Sequence, residues 1–462
     1  MKLNPSLFSK CYKILNQSGC TRLLISLLLA CVAQKASAFA EPTLEWVRQP
    51  SGTAHEVGRS VSADSLGNAF VSGWVEGGFA PGLAGRDAFL QKFDAAGNLS
   101  WTRRFGSTDH ESSWGVAADG LGSIYVTGET GGVMGVATLG DYDAYLRKYD
   151  SAGNVLWTNQ FGTAASDQGL KVVVDTLGSV FSSGSTRGAM QGAFQGGDGD
   201  AFIRKFDSSG APQWTRQIGS GGTDIGEGLA ADNLGNVFVG GWTDGNVSGT
   251  KFGSWDAFLA KYDAAGNQLW RRQFGTSQDD RAFGLSTDDS GNVYVTGFTS
   301  GNLASTTPSG SDVFLRKYGP TGNVIWTRQF GSSINDIGHE VSTDALGNIY
   351  LTGETSGNWA GPSAGDRDAF VVKVSSLGDL QWTRQLGSDG ADDGFGISAS
   401  DLGHLFITGR AGGNLANPLG GFGDVFVAKY NVVPEPACVS VITLCLLILF
   451  QTERSSRSML VQ

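Results

Sequence analysis

The sequence predicts an all-β protein in which seven four-stranded sheets close into a ring, and three observations carry that prediction. An apolar segment opening on aspartate recurs at Asp87, Asp143, Asp200, Asp256, Asp312, Asp368 and Asp424, in steps of 56 or 57 residues. Each period holds four apolar runs with rough two-residue alternation, bounded by Gly, Asp or Asn, which is the pattern of strands joined by turns. The fourth run occurs seven times, around Trp46, Trp101, Trp157, Trp214, Trp270, Trp326 and Trp382. Its first copy precedes any first run, and the last unit stops after DVFVAKYN without a fourth run of its own.

One unit shows the elements in order. From Asp280, strand one is AFGLSTD, strand two NVYVTG, strand three DVFLRKY and strand four NVIWTRQFG. Asp288-x-x-Gly-Asn292 separates the first two, and a matching turn such as Asp263 to Asn267 precedes strand four. Aspartate opening and glycine late in a short loop suit a tight hairpin, because glycine accepts positive φ. A loop of about 14 residues joins strands two and three. Units of this kind, repeated at this length, are the pattern of a β-propeller. If the Trp46 strand completes the sheet begun by residues 393–431, the ring closes and no sheet edge is left exposed.

The ends of the chain differ from its repeating body. Residues 1–22 carry Lys2, Lys10, Lys13 and Arg22 without an acid, followed by an apolar run from Leu23 to Val32 and the small residues Ala36-Ser37-Ala38. That order describes a secretory signal peptide over residues 1–40; lipid attachment at Cys31 is the rival reading. At the other end, Pro434-Glu435-Pro436, an apolar stretch from Ala437 to Phe450, and Arg454 and Arg457 form a segment over 433–462. All five cysteines lie in these ends, so the body at 41–432 has no disulfide to rely on. A net charge of −11 argues against nucleic acid as a partner.

Two resemblances follow from these residues. DAFLxKYDxxGNxxWTRQFG followed by GxxVSTDxxGNxYVTG resembles the bacterial SBBP repeat, named for a seven-bladed β-propeller, over residues 44–431. The tail resembles the PEP-CTERM sorting signal of Gram-negative bacteria. That second resemblance implies processing by an exosortase-type membrane protease and delivery to the cell surface, outer membrane or extracellular matrix, with membrane contact only through the termini. Neither resemblance brings a catalytic residue, because a repeat marks a scaffold and not an activity.

The expected chemistry lies on the face shared by the 4→1 and 2→3 loops. One acid per blade starts strand one (Glu56, Glu111, Asp167, Asp224, Asp280, Asp336 and Asp392), and the seven repeated aspartates head strand three on the same face. These acids serve either as acceptors for loop N–H groups or as a negatively charged mouth. The doublets Asp141/Asp143, Asp198/Asp200 and Asp366/Asp368 offer hard oxygen ligands that suit calcium; no other cofactor is expected. Where the copies disagree, five residues before the end of strand one, stand Arg59, Trp114, Leu170, Glu227, Phe283, His339 and Phe395. An asymmetric set on the innermost strand is what a binding site at the channel mouth needs. The sequence therefore reads as an exported, non-catalytic scaffold for a protein or polysaccharide. The alternative is a polysaccharide lyase or hydrolase acting over the acidic loop face.

Overall fold

The computed structural model describes residues 41–50, 54–77, 85–135, 137–304, 310–400, 402–420 and 423–432. The expected signal peptide, Cys31 and the sorting motif Pro434-Glu435-Pro436 lie outside these residues.

Residues 43–431 form seven four-stranded antiparallel sheets, and the described residues contain no helix. β1 (Thr43–Arg48) stands apart in sequence. Blade 1 then runs from β2 (Glu56–Ala63) to β5 (Leu99–Phe105), and blade 2 from β6 (Glu111–Ala118) to β9 (Val155–Phe161). Blade 3 runs from β10 (Asp167–Val174) to β13 (Pro212–Ile218), and blade 4 from β14 (Asp224–Ala231) to β17 (Gln268–Phe274). Blade 5 runs from β18 (Asp280–Thr287) to β21 (Val324–Phe330), and blade 6 from β22 (Asp336–Thr343) to β25 (Leu380–Leu386). β26 (Asp393–Ala399), β27 (His404–Ala411) and β28 (Asp424–Asn431) make three strands of blade 7, and β1 supplies the fourth against β28.

The closing strand is held by more than its ladder. Gln49, fully buried, donates from Nε2 to Asp424 at 3.1 Å and to the Gly413 carbonyl at 3.2 Å. Its Oε1 accepts from the Leu415 and Ala416 amides at 3.0 and 3.1 Å. Five other blades repeat the arrangement within themselves, with Gln160, Gln217, Gln273, Gln329 and Gln385 each donating to the aspartate that heads strand three. Blade 1 carries Arg104 in that register, and its guanidinium reaches Glu56 at 3.1 Å.

Strands two and three are buried on both faces, because each blade packs against the next. One such layer joins Phe238, Leu259 and Trp270 of blade 4 to Leu285, Val295 and Phe314 of blade 5. Burying an aromatic or branched side chain of this size contributes roughly 1.5–3 kcal/mol. The strand-four tryptophan and the residue two places on also reach across. Trp214 Nε1 donates to the Ala264 carbonyl at 3.1 Å, and Arg216 Nε to Gly266 at 2.6 Å, both in the 3→4 turn of blade 4. Trp270 and Arg272 grip Pro320 and Gly322 of blade 5 in the same way. Trp46 and Arg48 grip Ala95 and Gly97 of blade 1, so β1 also fastens the last blade to the first.

Candidate functional site

The repeated acids are structural. Asp167, fully buried, accepts the Thr163 amide four residues back at 2.6 Å, and Asp224, Asp280, Asp336 and Asp392 accept Ser220, Thr276, Ser332 and Ser388 in the same way. Asp143, Asp200 and Asp368, also buried, accept loop amides from Leu139, Gln195 and Ala364. Of the two roles open to these acids, this geometry is the first: they lie beneath the loops, bound to the N–H donors that order them.

Their neighbours differ from the sequence doublets. Asp141, Asp198 and Asp366 are exposed, while Asp143, Asp200 and Asp368 are buried. A Cβ added at Gly162 would lie 2.5 Å from Asp167 Oδ2 and 3.0 Å from Asp143 Oδ1, so the buried partner of Asp143 is the first acid of the next blade. No group of three or more acid, histidine or cysteine ligands occurs among the described residues. Burial raises the pKa of every strand-one acid, and its strand-three neighbour adds to the rise; Asp224 reaches about 6.

The variable residues fall together. In each innermost strand the ladder to strand two skips a position. Gly58 pairs with Gly73 and Ser60 with Ser72, leaving Arg59 outside the register. The same bulge leaves out Trp114, Leu170, Phe283, His339 and Phe395, and in β14 it leaves out Gly226 and Glu227 together. A bulge re-aims the side chain it releases. The seven variable residues among those released all line one cavity of about 480 Å³.

Inside it the side chains touch around the ring. The Arg59 guanidinium lies over Trp114 at 4.6 Å and over Phe395 at 4.4 Å. His339 meets Phe395 edge-on at 5.0 Å and stacks on Phe283 at 5.6 Å. Glu227 accepts from Trp242 Nε1 at 3.3 Å, and burial raises its pKa. Burial also lowers Arg59 to about 10, against the pull of Asp393 and Glu227.

The next position along each innermost strand closes the channel. It is glycine in four blades; a Cβ on Gly284 would come within 2.7 Å of the Glu340 Cα, and one on Gly396 within 2.9 Å of the Val61 nitrogen. Only Lys171 and Glu340 carry long side chains there, and they form an ion pair from blade 3 to blade 6. Lys171 lines the cavity, which is thus a funnel with an ion pair in its floor.

A second variable register was missed in the sequence. The residue after the repeated strand-two glycine is Trp74, Glu129, Ser185, Trp242, Phe298, Glu354 or Arg410. These residues build the rim beside the funnel. Arg281 lies over both Trp242 and Trp255 at 4.7 Å, and Arg86 over Trp74 at 4.0 Å. Asp393 is held by Arg410 at 2.6 Å and Arg367 at 3.0 Å. Burial and the adjacent Glu354 still push its pKa up to about 6. Burial opposes ionisation of Glu354 too, but His339, Asp393 and Arg367 outweigh it and hold that carboxyl low. Disagreement between copies, the signal that located Arg59 and its equivalents, applies here as well. A further cavity of about 650 Å³ on the same face shares Gln168, Ile225 and Trp242 with the funnel. The 1→2 turns of the opposite face are nearly uniform, and Leu121, Leu177 and Leu234 stand exposed in the same place.

Residues 213–247, 269–304 and 325–358 match the family described as SBBP: Beta-propeller repeat. The regulatory protein FlaEY of Caulobacter vibrioides is 28% identical over 358 residues, which cover 67% of this chain and 37% of that protein. An uncharacterized WD repeat-containing protein, L264 of Acanthamoeba polyphaga mimivirus, is 23% identical over 219 residues, covering 35% of this chain and 16% of its own. The chain thus spans well under half the length of either relative. Among solved structures, YCF48 bound to D1 peptide aligns with a TM-score of 0.42 at 11% identity, covering 84% of this chain and 95% of that one. A luciferin-regenerating enzyme aligns at 0.38 with 15% identity, covering 70% and 92%.

Proposed function

We propose that this SBBP-repeat propeller is an exported, non-catalytic interaction scaffold, acting at the cell surface or in the extracellular matrix and engaging its partner through the funnel face. One observation carries the reading: the seven blades differ where their side chains enter the funnel, while the residues they share are engaged in holding the ring. The repeated acids bind loop amides, the strand-four tryptophans bind neighbouring turns, and the glutamines bind strand-three aspartates. A scaffold individualised at one site has that division of labour. Similarity to a protein described as regulatory agrees with it.

The test is partner capture by the full-length protein, comparing a funnel variant (W114A with F283A) with an opposite-face variant (L177S with L234S). Loss confined to the funnel variant, with unchanged thermal midpoints, supports the reading; equal loss from both overturns it. Intact-mass measurement of the protein recovered outside the cell tests export, with an N-terminus at residue 39 or 41 expected. The enzymatic alternative draws support from Glu227, a carboxyl raised by burial beside a cavity, as a general acid requires. Turnover of a polysaccharide that is lost in E227Q would favour it.

A further inference from the structure

We infer that the funnel receives a carboxylate from an acidic peptide segment of a partner protein, with Arg59 and Arg281 as its receptors. The inference rests on the scaffold reading and names the chemistry that the scaffold recognises.

Both arginines line the funnel, and among the described residues neither makes a side-chain hydrogen bond or ion pair. Other arginines of this face are engaged: Arg86 with Glu76, Arg104 with Glu56, and Arg367 and Arg410 with Asp393. Arg59 is instead flanked by Trp114 and Phe395, and Arg281 by Trp242 and Trp255, with the Nε of each arginine buried and unbonded. Aromatic neighbours hold a guanidinium by its faces and leave the donors along its edge available. Those donors form a planar fork that matches a carboxylate. Asp393 and Glu227 act on Arg59, and Glu227 on Arg281, without a direct hydrogen bond or ion pair, so the forks of both arginines stay open to a ligand carboxylate.

Two features favour a peptide over an acidic sugar. Sugars are held by open aromatic faces, and here the rings are already engaged: Trp114 and Phe395 by Arg59, Phe283 by His339, and Trp242 by Arg281. The Lys171–Glu340 pair also closes the funnel from below. A group must therefore enter from one side on a narrow stalk, as a side chain or a chain terminus does. Glu227, opposite in charge, suits a neighbouring backbone N–H of the same segment. The net charge of −11 repels acidic peptides in general, so binding of one reports a local site.

The experiment uses the full-length protein and fluorescence anisotropy at low salt. The probes are amidated decaglutamate, a glycine–serine decapeptide with a free C-terminus, the same decapeptide amidated, and trigalacturonate. Binding of decaglutamate identifies a side-chain carboxylate, and binding of the free-terminus peptide a terminal one; either supports the inference when R59Q and R281Q each weaken it at least tenfold. R59K, which keeps the charge and loses the fork, is expected to fall between wild type and R59Q. Thermal midpoints within a degree or two of wild type separate lost recognition from lost folding; if R59Q is unstable, R281Q carries the test alone. The inference is overturned if no acidic peptide binds, if the amidated glycine–serine peptide binds equally well, if the variants bind like wild type, or if trigalacturonate binds more tightly. Partner capture that survives R59Q and R281Q, with no acidic-peptide binding, would overturn the carboxylate and leave the scaffold standing.

Discussion

Lys171 of blade 3 and Glu340 of blade 6 form an ion pair across the central channel, at the one inner-strand level where the other five blades carry only glycine or serine. Each side chain is less than one-fifth exposed. Removing one partner leaves a largely desolvated charge, so K171M or E340Q is expected to cost about 1–3 kcal/mol, less than for a fully buried pair. The double variant K171M/E340L should recover most of that loss, because two apolar side chains replace two charges. Urea denaturation of the three variants reads the coupling. A double variant no more stable than the worse single one would show that the pair does not act as a unit.

The bolt also marks how far the sequence was legible. The number of blades, the four strands in each and the role of Trp46 were readable because every copy repeats them at a fixed spacing. The funnel was readable from the disagreement at Arg59, Trp114, Glu227, Phe283, His339 and Phe395, since a register that varies among equivalents is not fixed by packing. Their bulges were not readable, because skipping one residue leaves no mark in an alternating pattern. The choice between the two roles of the repeated acids stayed open in the sequence for a related reason. An exposed carboxylate and one that accepts a loop amide four residues back look identical as letters. Lys171 with Glu340, and Arg59 between two rings, join residues of different blades, and only ring closure brings those blades together.

Ring closure itself is testable at Gln49. Its side chain bridges β28, the Gly413 carbonyl and two loop amides, all from the opposite end of the chain. Q49A leaves buried partners unsatisfied and is expected to cost about 2–4 kcal/mol. Removal of residues 41–48 exposes the edge of β28, which invites pairing between molecules. Size-exclusion chromatography should then show larger species than the intact chain gives. A monodisperse, equally stable truncation would mean that β1 is dispensable.

Two turn glycines separate backbone strain from the contact between blades. Gly178 and Gly266 have the same φ of 80°. A Cβ on Gly178 would meet nothing within 4 Å, whereas one on Gly266 would sit 2.8 Å from the Trp214 ring and 2.9 Å from Arg216. G178A is expected to cost about 1–2 kcal/mol, the price of a left-handed alanine. G266A adds the loss of the Trp214 and Arg216 grip and should cost about 1–3 kcal/mol more. Denaturation midpoints of the two variants give the difference directly. Equal losses would show that the grip contributes nothing to stability.

Stability should fall as pH rises through the range in which the buried acids ionise. Asp224 has a folded pKa of about 6, raised by burial and by Asp200 against the Ser220 and Thr243 hydrogen bonds. In an unfolded chain an aspartate titrates near ~3.9. Between those values the folded state holds a proton that the unfolded state has released, so stability decreases with rising pH. The other strand-one acids shift in the same direction and add to the slope. The turn aspartates Asp94, Asp150, Asp207 and Asp263 are shifted the other way by their own asparagine, serine and backbone bonds. Their contribution is lost as pH falls below the unfolded value, which ends the gain. The thermal midpoint is therefore expected to rise by a few degrees from pH 7 to pH 5 and to fall again below pH 4. D224N removes the titrating group while keeping an acceptor for the Ser220 amide. It should flatten part of the upper slope, and an unchanged slope would place the pH dependence elsewhere.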